Sequence, residues 1–425
     1  MSTEWEKLTQ ELENLYNAGK CDRAISVAKK AVNVAERNLG PNHPDVANSL
    51  YNLAYLYYNH GQYKQAELLY ERAFAIYENA LGPDHPDVAM SLYNLATLYS
   101  QQGKYALAEP LFNRATAIYE KALGPDHPDV ASSLHNLALL YFYQGQYMRA
   151  ESLFKRSLTI RVNALGSDHP YVAMSLFNLA TLYSNQGQYE QAEPLYKHAL
   201  AIYKNALGLD HLEVAETLYS LANLYYNEGK YARAEPLYKR ALAIEQKALG
   251  PEHPNIAEWL NILANFYADQ GQYTQAEPLF KGALAIQENA LGPNHPDVAE
   301  SLYNLANLYS HQGQYAQAEP LYRRALKIWE NSLGPDHIHV ANSLKNLANL
   351  YYNQGQYTEA EPLYKRALAI EENALRPDHP KLIASLKNLA ILYRKTGHIK
   401  KAEALEDKVA ASHPSGYSQE SEKTK

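Results

Sequence analysis

Apolar residues recur along most of the chain at the i, i+3, i+4, i+7 spacing of a helix with one buried face. One stripe runs Leu50, Leu53, Ala54, Tyr57, and Asn59, His60 and Gly61 then break it. A second stripe runs Ala66, Leu69, Tyr70, Ala73, Phe74, Tyr77 and ends at Leu81-Gly82-Pro83. The pattern predicts two helices joined by a glycine turn, with the connector glycine at a left-handed cap. In His85-Pro86-Asp87 the proline is expected at the first position of the next helix, where its missing N–H costs nothing. The aspartate then falls in the first turn, favourable to the helix dipole. The proline of Ala-Glu-Pro, as at Pro110, is expected early in the second helix, because a mid-helix proline costs roughly 3 kcal/mol or more.

This pattern repeats. Histidines stand at 43, 85, 127, 169, 211, 253, 295, 337 and 379, each step 42 residues, inside variants of LGPDHPDVA such as Leu81 to Ala89. Glycines stand 42 apart from Gly19 to Gly397. Ten helix-turn-helix repeats joined by nine connectors result. Ala54 and Ala66 allow close helix approach, while Tyr57, Tyr63 and Tyr70 fill the space between repeats. One 42-residue hairpin cannot bury these rings alone, so the repeats must stack into an all-α solenoid.

Composition narrows the function. The 425 residues include 37 tyrosines, a bias that follows from repetition. The formal charge of −7 disfavours a nucleic-acid-binding surface. One cysteine, Cys21, permits no intrachain disulfide and no cysteine metal cluster. No apolar run is long enough to span a membrane, and the acidic, amphipathic start lacks a signal segment, so a soluble cytoplasmic protein is expected. The connector histidines lie one helix-packing distance apart, about 8–10 Å, too far to share a zinc ion at about 2.0–2.1 Å. They read as helix-start caps. Glu109, Glu193, Glu235, Glu277, Glu319 and Glu361 recur in register and read as structural. No HExxH, GxSxG or GxGxxG occurs, so no catalytic residue, cofactor or metal is expected.

The A-x-x-Y, G-x-Y and A-E-P-L-Y-x-R-A-L pattern resembles tetratricopeptide repeats, and the 42-residue period with LGPDHPDVA resembles the kinesin light chain subclass. The resemblance covers about residues 5–410. It implies a right-handed superhelical solenoid whose first helices line a concave groove. The heptad segment with which kinesin light chains pair with their motor has no counterpart before the first repeat, so a motor subunit is not the leading expectation. A degenerate capping repeat is expected at 1–40, eight regular repeats at 41–380, a capping repeat at 381–410 and a disordered polar tail at 411–425.

The candidate site lies on the first helices. Asparagine precedes Leu-Ala at Asn52, Asn94, Asn136, Asn178, Asn304, Asn346 and Asn388, with Ser220 and Ile262 as breaks. One position earlier stand Tyr303, Lys345 and Lys387; three positions later stand Asn307 and Asn349. These offsets share a helix face. Asparagine costs on the order of half a kcal/mol against alanine mid-helix, so its recurrence needs a return. Its amide both donates and accepts, which suits a peptide backbone. The alternatives are bonding between repeats that sets register, or recent duplication. The leading expectation is a monomeric, non-enzymatic adaptor that binds an extended protein segment, with acidic residues at one end, in the groove. A motor-coupled cargo adaptor and a self-associating structural array are the alternatives.

Overall fold

The computed structural model describes residues 4–412, so the last residues of the expected polar tail lie outside it. Twenty helices and, among the described residues, no strand make up the chain. The first four repeats contain α1 (Glu4–Asn17), α2 (Cys21–Leu39), α3 (Pro44–Asn59), α4 (Tyr63–Leu81), α5 (Pro86–Gln101), α6 (Tyr105–Leu123), α7 (Pro128–Tyr143) and α8 (Tyr147–Leu165). The fifth to seventh contain α9 (Pro170–Asn185), α10 (Tyr189–Leu207), α11 (Leu212–Asn227), α12 (Tyr231–Leu249), α13 (Pro254–Asp269) and α14 (Tyr273–Leu291). The last three contain α15 (Pro296–His311), α16 (Tyr315–Leu333), α17 (Ile338–Asn353), α18 (Tyr357–Ala374), α19 (Pro380–Lys395) and α20 (Ile399–Ala411). The chain divides into two compact blocks, 1–234 and 235–425.

From α2 to α10 and from α14 to α18, each second helix packs on the first helix of its own repeat and on that of the next. The small residues make this possible: Ala47, Ala54, Ala66 and Ala73 are wholly buried, with Leu50 and Tyr70 beside them. The turn inside each repeat closes by two backbone bonds. Gly61 N–H donates to the Tyr58 carbonyl and Gln62 N–H to the Tyr57 carbonyl, with Gly61 at φ +72°. That is the left-handed glycine cap read from the sequence.

The connector differs from expectation. Gly82 has φ +89° and ψ 160°, an extended conformation reserved for glycine, not the left-handed helical one. It still donates its N–H to the Glu78 carbonyl and then throws the chain straight out towards His85. All nine connector histidines are N-caps: Nδ1 accepts the backbone N–H two residues on, from Asp45 N–H on His43 at 3.2 Å to Lys381 N–H on His379 at 3.2 Å. The ring nitrogen does not depend on the following proline, which is why His211 and His337 persist before Leu212 and Ile338.

Pro110 is the sixth residue of α6, a full turn inside. Its exposed ring sits where the helix can spare one N–H near its start.

The in-register glutamates tie successive repeats together. Eight tyrosines donate their hydroxyls to a glutamate 32 residues earlier, on the preceding repeat, among them Tyr225 to Glu193 at 2.8 Å and Tyr309 to Glu277 at 2.9 Å. Most of these glutamates also pair with a Lys or Arg one turn on, for example Lys281 with Glu277 at 2.7 Å.

Candidate functional site

The asparagines of the first helices are half-buried, not solvent-facing as a free groove ladder requires. In the first block Asn136 donates to the Tyr93 hydroxyl at 2.7 Å and Asn178 bonds His135 Nε2 at 3.1 Å, each reaching one repeat back. Asn94 donates to the Met90 carbonyl at 2.7 Å. Asn52 lies beside Tyr16 and Tyr55 in a small hollow of about 190 Å³. Burial is the main cause that pushes the Tyr93 hydroxyl up to about 12, and the Asn136 bond partly offsets it.

In the second block the same asparagines do two things at once. Asn346 donates to the Tyr303 hydroxyl and to Asn307 Oδ1, both at 2.8 Å. Asn307 and Asn349 accept from the Tyr322 and Tyr364 hydroxyls at 2.6 and 2.5 Å. Asn388 makes no hydrogen bond among the described residues, because Lys345 stands where Asn346 finds Tyr303. Asn346, Asn349, Asn388 and Asn307 nevertheless line one cavity of about 550 Å³ along α15, α17 and α19. A second hollow of about 370 Å³, lined by Asn304, Asn265 and Phe280, shares Asn307 and His311 with it.

Sequence reasoning picked out only Asn307, Asn346, Asn349 and Asn388 of the twelve residues of this lining. Ser310, His311, Tyr352, Asn353 and Ile391 also face the cavity. His311 and Asn353 lie one turn beyond Asn307 and Asn349 on the same face, so extending the ladder by four residues would have found them. No charged side chain lines the larger cavity.

Two expected groove residues lie elsewhere. Tyr303 packs inward against Trp329 and Tyr322, ring centroids 5.5 and 5.8 Å away. Burial raises its hydroxyl pKa, and the Asn307 and Asn346 bonds hold it back. Lys345 is tied to the fully buried Glu371 at 2.9 Å, so its charge is not available to a ligand. Lys387 is exposed and free of ion pairs among the described residues. The sequence signal for Lys345 was the replacement of an aromatic by Glu371 at a position held by Tyr77 and Tyr119 in earlier repeats.

The tetratricopeptide repeat model matches residues 13–79, 61–121, 108–161, 129–205, 213–265, 256–331, 301–373 and 339–413. The chain belongs to the tetratricopeptide repeat family. Among solved structures, tetratricopeptide-like repeats of a kinesin light chain protein from Podosopora anserina are 31% identical, covering 48% of this chain and 98% of that one, with a TM-score of 0.43. BtubC (BKLC) from P. vanneervenii is 26% identical, covering 56% and 96%, with a TM-score of 0.47. A signal transduction ATPase with a tetratricopeptide repeat sensor from Pyrococcus horikoshii is 16% identical, covering 85% and 52%, with a TM-score of 0.58, a likeness of fold alone. No curated protein matches the chain. The Gly-Pro-Asp-His connector serves as a cap and contributes nothing to the cavity.

Proposed function

We propose that this tetratricopeptide repeat protein is a non-enzymatic adaptor that holds an extended segment of a partner protein along α15, α17 and α19. One observation carries the reading. The 550 Å³ cavity concentrates amides on an uncharged lining, and Asn388 and Asn353 bring whole amides with no bond among the described residues. A donor and an acceptor on one planar group match the alternating N–H and C=O of an extended backbone. Tyr315, Tyr352 and Ile391 supply flat contact area around them. With Lys345 held by Glu371, attraction for an acidic end rests on Lys387, and its contribution is salt-dependent. In this reading the protein acts as a monomer in the cytoplasm.

The experiment is a screen of an immobilised peptide library with the wild type and with Asn388→Ala combined with Asn353→Ala. Loss of captured peptides in the variant, with unchanged unfolding, supports the site. Equal capture by both proteins removes it. Light scattering across a concentration series separates this reading from the self-associating array, and co-purification with a motor heavy chain would favour the cargo-adaptor reading.

A further inference from the structure

The first two repeats depart from the others on the face where later repeats carry their asparagines. At the position of Tyr51 and Tyr93 the first repeat has Thr9, and at that of Ala54 it has Leu12. Where Asn307 and Asn349 stand in the eighth and ninth repeats, the first has Glu13 and the second has Tyr55, the one aromatic at this position in the array. An amide position has become a carboxylate beside a ring.

The structure brings these changes together in the hollow of about 190 Å³ between α1 and α3. The small Thr9 side chain leaves room, and its hydroxyl is occupied with the Trp5 carbonyl at 3.1 Å. Leu12 and Leu56 are buried beneath it. Tyr16 and Tyr55 line it with rings tilted by 55° and centroids 5.8 Å apart, and their hydroxyls share a hydrogen bond at 3.1 Å. That bond fixes two rings that are nevertheless 41% and 38% exposed.

The charge around the hollow has one sign. α1 carries Glu4, Glu6, Glu11 and Glu13 against Lys7. Glu13 accepts from the Gln10 amide at 3.1 Å and makes no ion pair among the described residues. No Lys, Arg or His lines the hollow.

Elsewhere the chain fills the same combination of ring and carboxylate with its own cation. Arg149 lies 3.7 Å from the centre of the Tyr141 ring and 3.2 Å from Glu109. Lys281 lies over the Tyr309 ring and 2.7 Å from Glu277. A cation held by a ring face and a carboxylate gains from both, and its aliphatic stem can cover apolar side chains such as Leu12 and Leu56. In the first repeat the ring and the carboxylate are present and the cation is not.

We propose that this hollow receives a basic side chain, Lys or Arg, from an extended segment of a partner protein, with Tyr16 and Tyr55 contacting its stem and charged head and Glu13 pairing with its charge. The site shares no residue with the cavity along α15, α17 and α19 and does not depend on the reading given for it.

The test uses the full chain with labelled leucine methyl groups, and follows Leu12 and Leu56 by NMR. The probes are acetylated, amidated Gly-Ser-Gly-Xaa-Gly-Ser-Gly peptides with arginine, citrulline or norleucine at the centre. The arginine peptide is expected to shift both signals saturably. Citrulline, which keeps the shape and loses the charge, should bind about threefold more weakly, and Glu13→Gln should abolish that difference. Tyr55→Leu, which keeps an apolar side chain but no ring, should weaken the arginine peptide about two- to fivefold. Both residues are exposed, so both variants should keep the wild-type helicity. Absence of a saturable shift overturns the proposal. Norleucine binding as tightly as arginine also overturns it, because the hollow would then select apolar bulk alone. Asn353→Ala with Asn388→Ala should leave the arginine peptide's affinity unchanged, so either site can fail without the other.

Discussion

Asn346 and Asn388 occupy equivalent positions one repeat apart, yet only Asn346 is bonded to the protein, which makes the two alanine variants a direct comparison. Asn346→Ala removes hydrogen bonds to the Tyr303 hydroxyl and Asn307 Oδ1. At about 0.5–1.5 kcal/mol each, the loss is about 1–3 kcal/mol. Alanine returns about 0.5 kcal/mol of helix propensity, leaving a net loss of about 0.5–2.5 kcal/mol. Asn388→Ala removes no bond among the described residues and should stabilise α19 by about 0.5 kcal/mol through the same propensity term. Repeat arrays do not unfold as one unit, so a global midpoint is the wrong readout. Native-state hydrogen exchange resolves α17 from α19 and gives each local opening energy. A cycle with Tyr303→Phe should show about 1 kcal/mol of coupling to Asn346. Equal exchange in both alanine variants, or no coupling to Tyr303, would refute the ladder as drawn.

The remaining expectations are simpler. Tyr225→Ala or Tyr309→Ala removes a buried ring and its bond to the preceding repeat, and should cost about 3–5 kcal/mol locally, seen as a new early step in urea unfolding followed by circular dichroism. Gly334→Ala, at φ +93° and ψ 157°, meets no neighbouring atom but forces a glycine-only conformation; a local loss of about 1–3 kcal/mol is expected from hydrogen exchange at α16 and α17. Burial first, and then Arg161, hold the His135 imidazole down to about 3 against an ordinary 6.5, so the unfolded chain takes the proton first. Stability of the first block should therefore decline as pH falls from about 6.5 towards 3, and ring signals of His135 should not titrate above about pH 4 by NMR. Dialysis against a chelator should leave melting unchanged, since the described residues hold no group of three or more metal-ligating side chains.

The fold was legible because its signal is repeated ten times: stripes, turn glycines and connector histidines each vote in register. What escaped was information that no single repeat contains. Whether an asparagine amide faces a ligand or a neighbour depends on the residue 43 positions earlier. Asn136 finds the Tyr93 hydroxyl there and bonds it. Ser220 finds Phe177, which has no hydroxyl to offer. Lys345 looked like groove charge because Glu371, 26 residues on, meets it only after two helices fold together. The connector glycine was placed in the wrong positive-φ region because composition reports that glycine is needed, not which ψ it adopts.

The tyrosine–glutamate struts bear on how such a gene can change length. Each tyrosine reaches a glutamate 32 residues back, and each strut recurs after 42. Loss of residues 278–319 in frame would bring Tyr351 to 32 positions after Glu277, the separation Tyr309 held before. Every other tyrosine would keep its own acceptor, and gain of a repeat works the same way. Unequal recombination within this coding sequence therefore yields shorter and longer arrays whose joints are already satisfied, and ligand reach becomes a trait that selection can alter in whole repeats.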